Sequence, residues 1–299
     1  MLAALRATVI ALAAMFFASG GALAAAQTRF PDPEHAVEVL VAALRANNVA
    51  KIELILGPGS GKLVNSGDPV ADRNGRAHFV AAYDTRHRID REGDRATLII
   101  GENDFPMAIP IVASHGSWRF DARAGSEEIL DRRIGQNELN AIEVCRAYVE
   151  AQREYASKDR TGSGFLEYAQ HFVSRPGKHD GLYWPAAAGA AESPLGPLMA
   201  KARAAGYGHK GTPYHGYFYK ILTAQGAHAP GGARDYIVRG HMIGGFALVA
   251  FPAKYGDSGV MTFVVDRSGV VRQKNLGRDS ATIARAMTRY DFDASWTIP

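Results

Sequence analysis

Twice along this chain, residues with helical spacing give way to short strand-like runs, and that order limits the fold more than any single motif. Asp32-Pro33-Glu34 opens the first run: the acid suits a helix N-cap and the proline suits the first turn. Apolar residues then recur at Ala36, Val37, Leu40, Val41 and Leu44, a one-sided stripe. A second short helix is expected over 49–56, ended by Gly57-Pro58, and a third around 77–83. Strand signals follow at 96–100, 107–112 and 118–121, with His115-Gly116-Ser117 as a hairpin turn. The order then repeats. A helix is expected over 138–156 and a shorter one over 195–205, within a glycine-, proline- and alanine-rich stretch from 181 to 232. Strands are expected at 217–223, 246–251, 260–265 and 270–273, and Ser280 caps a last helix through Met287. Helices grouped ahead of antiparallel strands predict an α+β fold of two modules, each with helices packed on a short antiparallel sheet. The expected modules are 27–130, cone-like, and 138–299, joined near 130–137.

The first 24 residues read as a signal peptide. Arg6 is their only charge, 7–17 is apolar apart from Thr8, and Ser19-Gly20-Gly21 breaks the run. Small residues at Ala22-Leu23-Ala24 and Ala24-Ala25-Ala26 offer cleavage after Ala24 or Ala26. The apolar run is 11 residues long, whereas a spanning helix needs about 20. The expected location is therefore periplasmic or secreted, with no membrane span left after cleavage. Cys145 is the single cysteine, so no intramolecular disulfide can form, and its place in a helical pattern reads as a small buried apolar residue. The formal net charge of +4 falls to +3 without Arg6, and acids and bases are interspersed. No basic stripe of the kind that grips nucleic acid is visible.

Two motifs invite catalytic readings that their contexts refuse. Gly256-Asp257-Ser258-Gly259 looks like a serine-nucleophile loop, but it lies between two short strands without the surrounding pattern such a site requires. Gly57-Pro58-Gly59-Ser60-Gly61-Lys62 looks like a phosphate loop, yet Leu stands at 56 and 63, where that motif needs glycine and Ser or Thr. The region 171–219 is richer in chemistry. His171, His179, Asp180, His209 and His215 lie there among Tyr183, Trp184 and Tyr217, and flat aromatic rings can bury a ligand at small entropic cost. These eight residues are the candidate ligand-binding set. Their spacing matches no compact metal motif, so neither metal nor other cofactor is expected.

Several long stretches carry a family resemblance. They are Ile55-Leu56-Gly57-Pro58-Gly59, Leu63-Val64-Asn65-Ser66-Gly67-Asp68, Ile129 through Leu139, Ala147-Tyr148-Val149-Glu150-Ala151-Gln152, and Gly216 through Gly226. Together they resemble the exported proteobacterial family named domain of unknown function 2950, which brings no established activity. The second half also resembles the globular head of type II secretion pseudopilins, through Ala151-Gln152-Arg153-Glu154-Tyr155 and Ala250 through Phe263, followed by Asp266 and Gly269. The chain departs from a pseudopilin in having an ordinary signal and a separate first module. The expected function is a non-catalytic binding or envelope-assembly factor with an envelope protein partner, its oligomeric state left open. The alternative is a small periplasmic hydrolase or ligand-binding protein using the region 171–219.

Overall fold

The computed structural model describes residues 27–186, 192–208 and 211–299. The stretch read as a signal peptide lies outside them, as does His209 of the candidate set. Helices and mainly antiparallel sheets make the fold α+β, as expected.

The first half begins with α1 (Pro33–Arg45), whose cap Asp32 accepts a hydrogen bond from the His35 N–H at 2.7 Å. Asn48 caps α2 (Val49–Leu56) through the Lys51 N–H at 3.0 Å, and Gly57 ends it at φ +84°. One turn of helix, α3 (Gly61–Val64), follows. α4 (Pro69–Thr85) is much longer than the 77–83 expected. Its start repeats the Asp-Pro signal of α1, with the Asp68 carboxylate accepting from the Val70 and Ala71 N–H groups at 3.1 and 3.0 Å.

The first sheet holds β1 (His87–Glu92), β2 (Arg95–Ile100), β3 (Phe105–Pro106), β4 (Ile111–Ser114) and β5 (Ser117–Phe120). Its order is β1-β2-β4-β5, with β3 also on β2. β1 is absent from the sequence expectation because it is almost wholly polar and exposed, as suits an edge strand. Of the strand expected at 107–112 only Ile111 and Val112 lie in a strand, since β3 ends at Pro106 and β4 starts at Ile111. The β4–β5 hairpin turns on His115 and Gly116, both at positive φ, the geometry whose twist matches its strands. Val37, Leu40, Ile52, Ile55, Leu98 and Phe120 anchor the first apolar cluster between helices and sheet.

α5 (Ala122–Tyr155) starts 16 residues before the expected helix and runs unbroken through 130–137, the stretch read as a joint. Gly125 lets it approach: a Cβ there would lie 2.3 Å from the Ala108 carbonyl oxygen. The far end of α5 packs on a second sheet, of order β15-β14-β13-β8, built from β8 (Tyr217–Leu222), β13 (Ala247–Pro252), β14 (Thr262–Asp266) and β15 (Arg272–Lys274). Every residue of β13 is buried, and α7 (Ser280–Ala286) packs against it as well. Ser280 is the first residue of α7, and its buried hydroxyl caps nothing. The intervening chain supplies a parallel pair, β6 (His171–Val173) and β7 (Gly181–Tyr183), then α6 (Gly196–Ala204). Short pieces β9 (Ala224–Gln225), β10 (Arg234–Asp235), β11 (Ile237–Val238), β12 (His241–Met242) and β16 (Arg289–Tyr290) pair around the sheet. The second apolar cluster gathers on α5 at Cys145, Tyr148 and Tyr155, with Phe246, Phe263 and Trp296. Burial there pushes the Cys145 thiol up to about 12, so it stays protonated and inert.

The two clusters meet through polar contacts. Asp68, 0% exposed, accepts from the Tyr207 hydroxyl at 3.0 Å and the Gly216 N–H at 2.9 Å with its second oxygen. The Asn137 side-chain amide donates to the Ser258 carbonyl at 2.9 Å, and that of Asn74 to the Ala205 carbonyl at 2.8 Å. Asp257, 1% exposed, lies 2.5 Å from Lys254 Nζ and 3.3 Å from Lys62 Nζ. The Ser258 hydroxyl is turned into its own loop, 3.1 Å from the Lys254 carbonyl and 2.9 Å from the Lys254 N–H. The loop 256–259 is thus a turn, and Lys62 of the phosphate-loop look-alike serves as an ion partner.

Candidate functional site

The seven described residues of the candidate set fall into two neighbourhoods. Around β6 and β7, the His179 ring lies 4.5 Å from Trp184, and the Tyr155 hydroxyl donates to the His179 carbonyl. Tyr183 and Trp184 are buried under guanidinium groups, that of Arg203 over Tyr183 at 4.9 Å and that of Arg160 over Trp184 at 5.4 Å. Burial alone would raise the Asp180 carboxyl, but the Arg175 N–H and guanidinium outweigh it and hold it below the ordinary carboxylate range. His171 is exposed on β6. Tyr183 and Trp184 also edge a shallow cleft of about 290 Å³ with Glu192, Ser193 and Pro197.

The second neighbourhood is an aromatic knot. His215, held at φ +51°, lies 4.2 Å from Tyr214 and 5.7 Å from Tyr207, ring to ring. Burial holds its imidazole below its ordinary value, so it is neutral near physiological pH. Tyr217 is fully buried, donates to the Met261 carbonyl at 2.9 Å, and has its phenol pushed well up by burial. Among the described residues, no three His, Cys, Asp or Glu side chains gather where one ion could sit.

A larger cavity than the cleft beside Tyr183 and Trp184 lies in the first half, and sequence reasoning did not find it. A cavity of about 450 Å³ opens between the helices and the β3 side of the first sheet. α1 contributes Leu40 and Leu44, α2 contributes Ile52 and Leu56, and α3 contributes Leu63 and Val64. Phe79 of α4, Phe105, Met107 and Ile109 from the β3 region, and Ile129 of α5 complete an apolar wall. The volume falls in the range of small-molecule sites, about 300–1,000 Å³.

Against this wall stand a few charged groups, and their positions follow from the helices that carry them. Asp72, Arg76 and Phe79 occupy successive turns of one α4 face, while Arg132, Arg133 and Asn137 come from α5. Burial raises the Asp72 carboxyl above its ordinary range, against the pull of the Ser66 N–H at 3.0 Å and of the charges on Arg133 and Arg76. Burial likewise lowers the Arg133 guanidinium, with Asp72 and Asp257 opposing. Arg133 donates to the Lys62 and Leu63 carbonyls at 2.8 and 2.5 Å. From the other side, Arg76 donates to the Val64 carbonyl at 3.1 Å and to Asn47 Oδ1 at 2.7 Å. Arg132 pairs with Glu128 and lies over the Phe105 ring at 4.8 Å. This arrangement can hold a molecule with an apolar body and orient one polar end. The signal that could have found it was Asp68-Pro69, which starts α4 early enough to put Asp72 and Arg76 one turn apart.

The fold and cavity define a mixed α+β protein with a ligand-sized, mainly apolar chamber in its first half. Residues 27–298 match the family described as "Protein of unknown function (DUF2950)", and the chain belongs to that family. No curated protein and no solved structure matches it.

Proposed function

We propose that this is an exported binding protein, without catalysis of its own, that holds a small and largely apolar molecule in the first-half cavity and works in the cell envelope. The observation that carries the binding part is the 450 Å³ chamber with its apolar wall and its few charged groups gathered on α4 and α5. Export rests on Arg6, the 7–17 apolar run and the small residues at Ala22 to Ala26. The polar seam between the two halves supports a coupling of the loaded cavity to a partner protein on the second half. That second half is read as pseudopilin-head-like, because a long helix lies on a four-stranded antiparallel sheet.

The region 171–219 is a weaker ligand site on this reading. Its aromatics are engaged under arginines or buried, and Asp180 is spent on Arg175.

The test is titration with a neutral naphthylamine dye that brightens in apolar surroundings. Saturable binding at one site is expected for the wild type, and strong loss for Ala71→Phe, which fills the chamber from α4. Fluorescence that rises without saturation, and equally in both proteins, would sink the cavity reading. Mass spectrometry of the envelope protein checks export separately: a first residue at Ala25 or Gln27 is expected.

A further inference from the structure

The cavity's charges do not balance, and the imbalance says what the ligand brings. Arg132 is matched by Glu128 one turn before it. Arg76 and Arg133 have no carboxylate oxygen within 4.0 Å among the described residues. Both instead lean on adjacent carbonyls at the end of α3, Arg76 on Val64 and Arg133 on Leu63 and Lys62. They therefore converge on one spot from α4 and α5. The acid facing both from the cavity wall is Asp72, which is bonded to the Ser66 N–H rather than to either arginine.

We propose that the ligand is a monoanionic amphiphile, an alkyl or similarly apolar carboxylic acid, whose carboxylate is received between Arg133 and Arg76 while its tail fills the apolar chamber. The inference rests on the cavity reading above and adds the chemistry of the ligand's head. A guanidinium offers five N–H donors in a planar fork that suits a carboxylate, and Arg133 has committed only two to carbonyls. Asp257 also acts on Arg133, but it lies 2.5 Å from Lys254 Nζ and 3.3 Å from Lys62 Nζ, so within the cavity Arg76 and Arg133 against Asp72 leave one positive charge for the ligand's head to complete. The Asp72 carboxylate competes for the same guanidinium groups, which makes it a specificity-determining residue: it limits the site to a singly charged head. At about 30 Å³ per water, the chamber holds the equivalent of about 15 water molecules, room for a medium-length tail.

The experiment compares octanoate, octanol and octyltrimethylammonium by calorimetric titration of the full mature chain. Octanoate is expected to bind tightest, and the cation not at all. Arg133→Gln is expected to weaken octanoate by about tenfold or more and to leave octanol unchanged, as loss of a charge-assisted hydrogen bond would. Retained octanol binding also certifies that this variant has folded. Arg76→Gln and Asp72→Asn carry the same test should it not fold: the first weakens octanoate, the second strengthens it several-fold. Octanol binding as tightly as octanoate, with no response to either arginine substitution, would overturn the acid head and leave the cavity reading standing. Failure of both octanoate and octanol would overturn the cavity reading, and this inference with it.

Discussion

Asp68 does the work of several residues. One oxygen caps α4 and the other receives Tyr207 and Gly216 from the second half, so a fully buried carboxylate is satisfied by four donors. Asp68→Ala strands those donors. A lost cap costs about 1 kcal/mol and each bond to a buried charge about 1.5–3, so a loss near 3 kcal/mol is expected after partial relaxation. Chemical denaturation measures it. Asp72 makes the opposite prediction. Burial raises its carboxyl above 3.8, so the folded chain binds a proton more readily than the unfolded one. Stability therefore falls as pH rises through the interval above 3.8 in which folded Asp72 titrates, and stays reduced beyond it. Asp72→Asn keeps an acceptor for the Ser66 N–H and removes the charge. It should melt higher than wild type near neutral pH, with the gap closing as pH falls below 3.8. A gap that stays constant over that range would show that burial of Asp72 is not its source.

The helices carry the strongest test of packing at the next scale. Gly125→Ala ought to strengthen α5 by helix propensity alone. The added Cβ would instead meet the Ala108 carbonyl at 2.3 Å, and backbone cannot step aside cheaply. We expect a net loss of about 1–3 kcal/mol by thermal melting. The same helices explain what the sequence made legible. α1 and α2 were readable because Asp32-Pro33 and Gly57-Pro58 are local signals and the inward face of α1 is plainly apolar, while the Asn48 cap of α2 emerged only in the structure. The hairpin at His115-Gly116 and most of the second sheet were readable for the same reason. The start of α4 and the first half of α5 were missed because their inward faces line a chamber rather than a core. Ala71, Asp72, Gly75 and Arg76, like Arg132, Arg133 and Asn137, break the apolar period where the candidate site lies. β1 was missed because an edge strand of His, Arg, Ile, Asp, Arg and Glu shows water almost every side chain. The residues 171–217 drew attention through their chemistry, and sequence carries no sign that burial and arginine stacking already occupy Tyr183, Trp184 and Tyr217.

Across the whole molecule, α5 passes from one apolar cluster to the other, and buried Asp68 and Asp257 both draw partners across the seam. The two halves should therefore unfold together. The three tryptophans give the readout, Trp118 in the first cluster and Trp184 and Trp296 in the second. Variants keeping only Trp118 or only Trp296 are expected to report one common denaturation midpoint, and two separated midpoints would show halves that stand independently. The seam also has a direction in time. Tyr207 and Gly216 follow Asp68 by 139 and 148 residues, so a growing chain completes α1 to α4 long before the partners of that carboxylate have been made. Contacts between residues so far apart carry a large loop-closure cost, so closing this seam is expected to come late in folding.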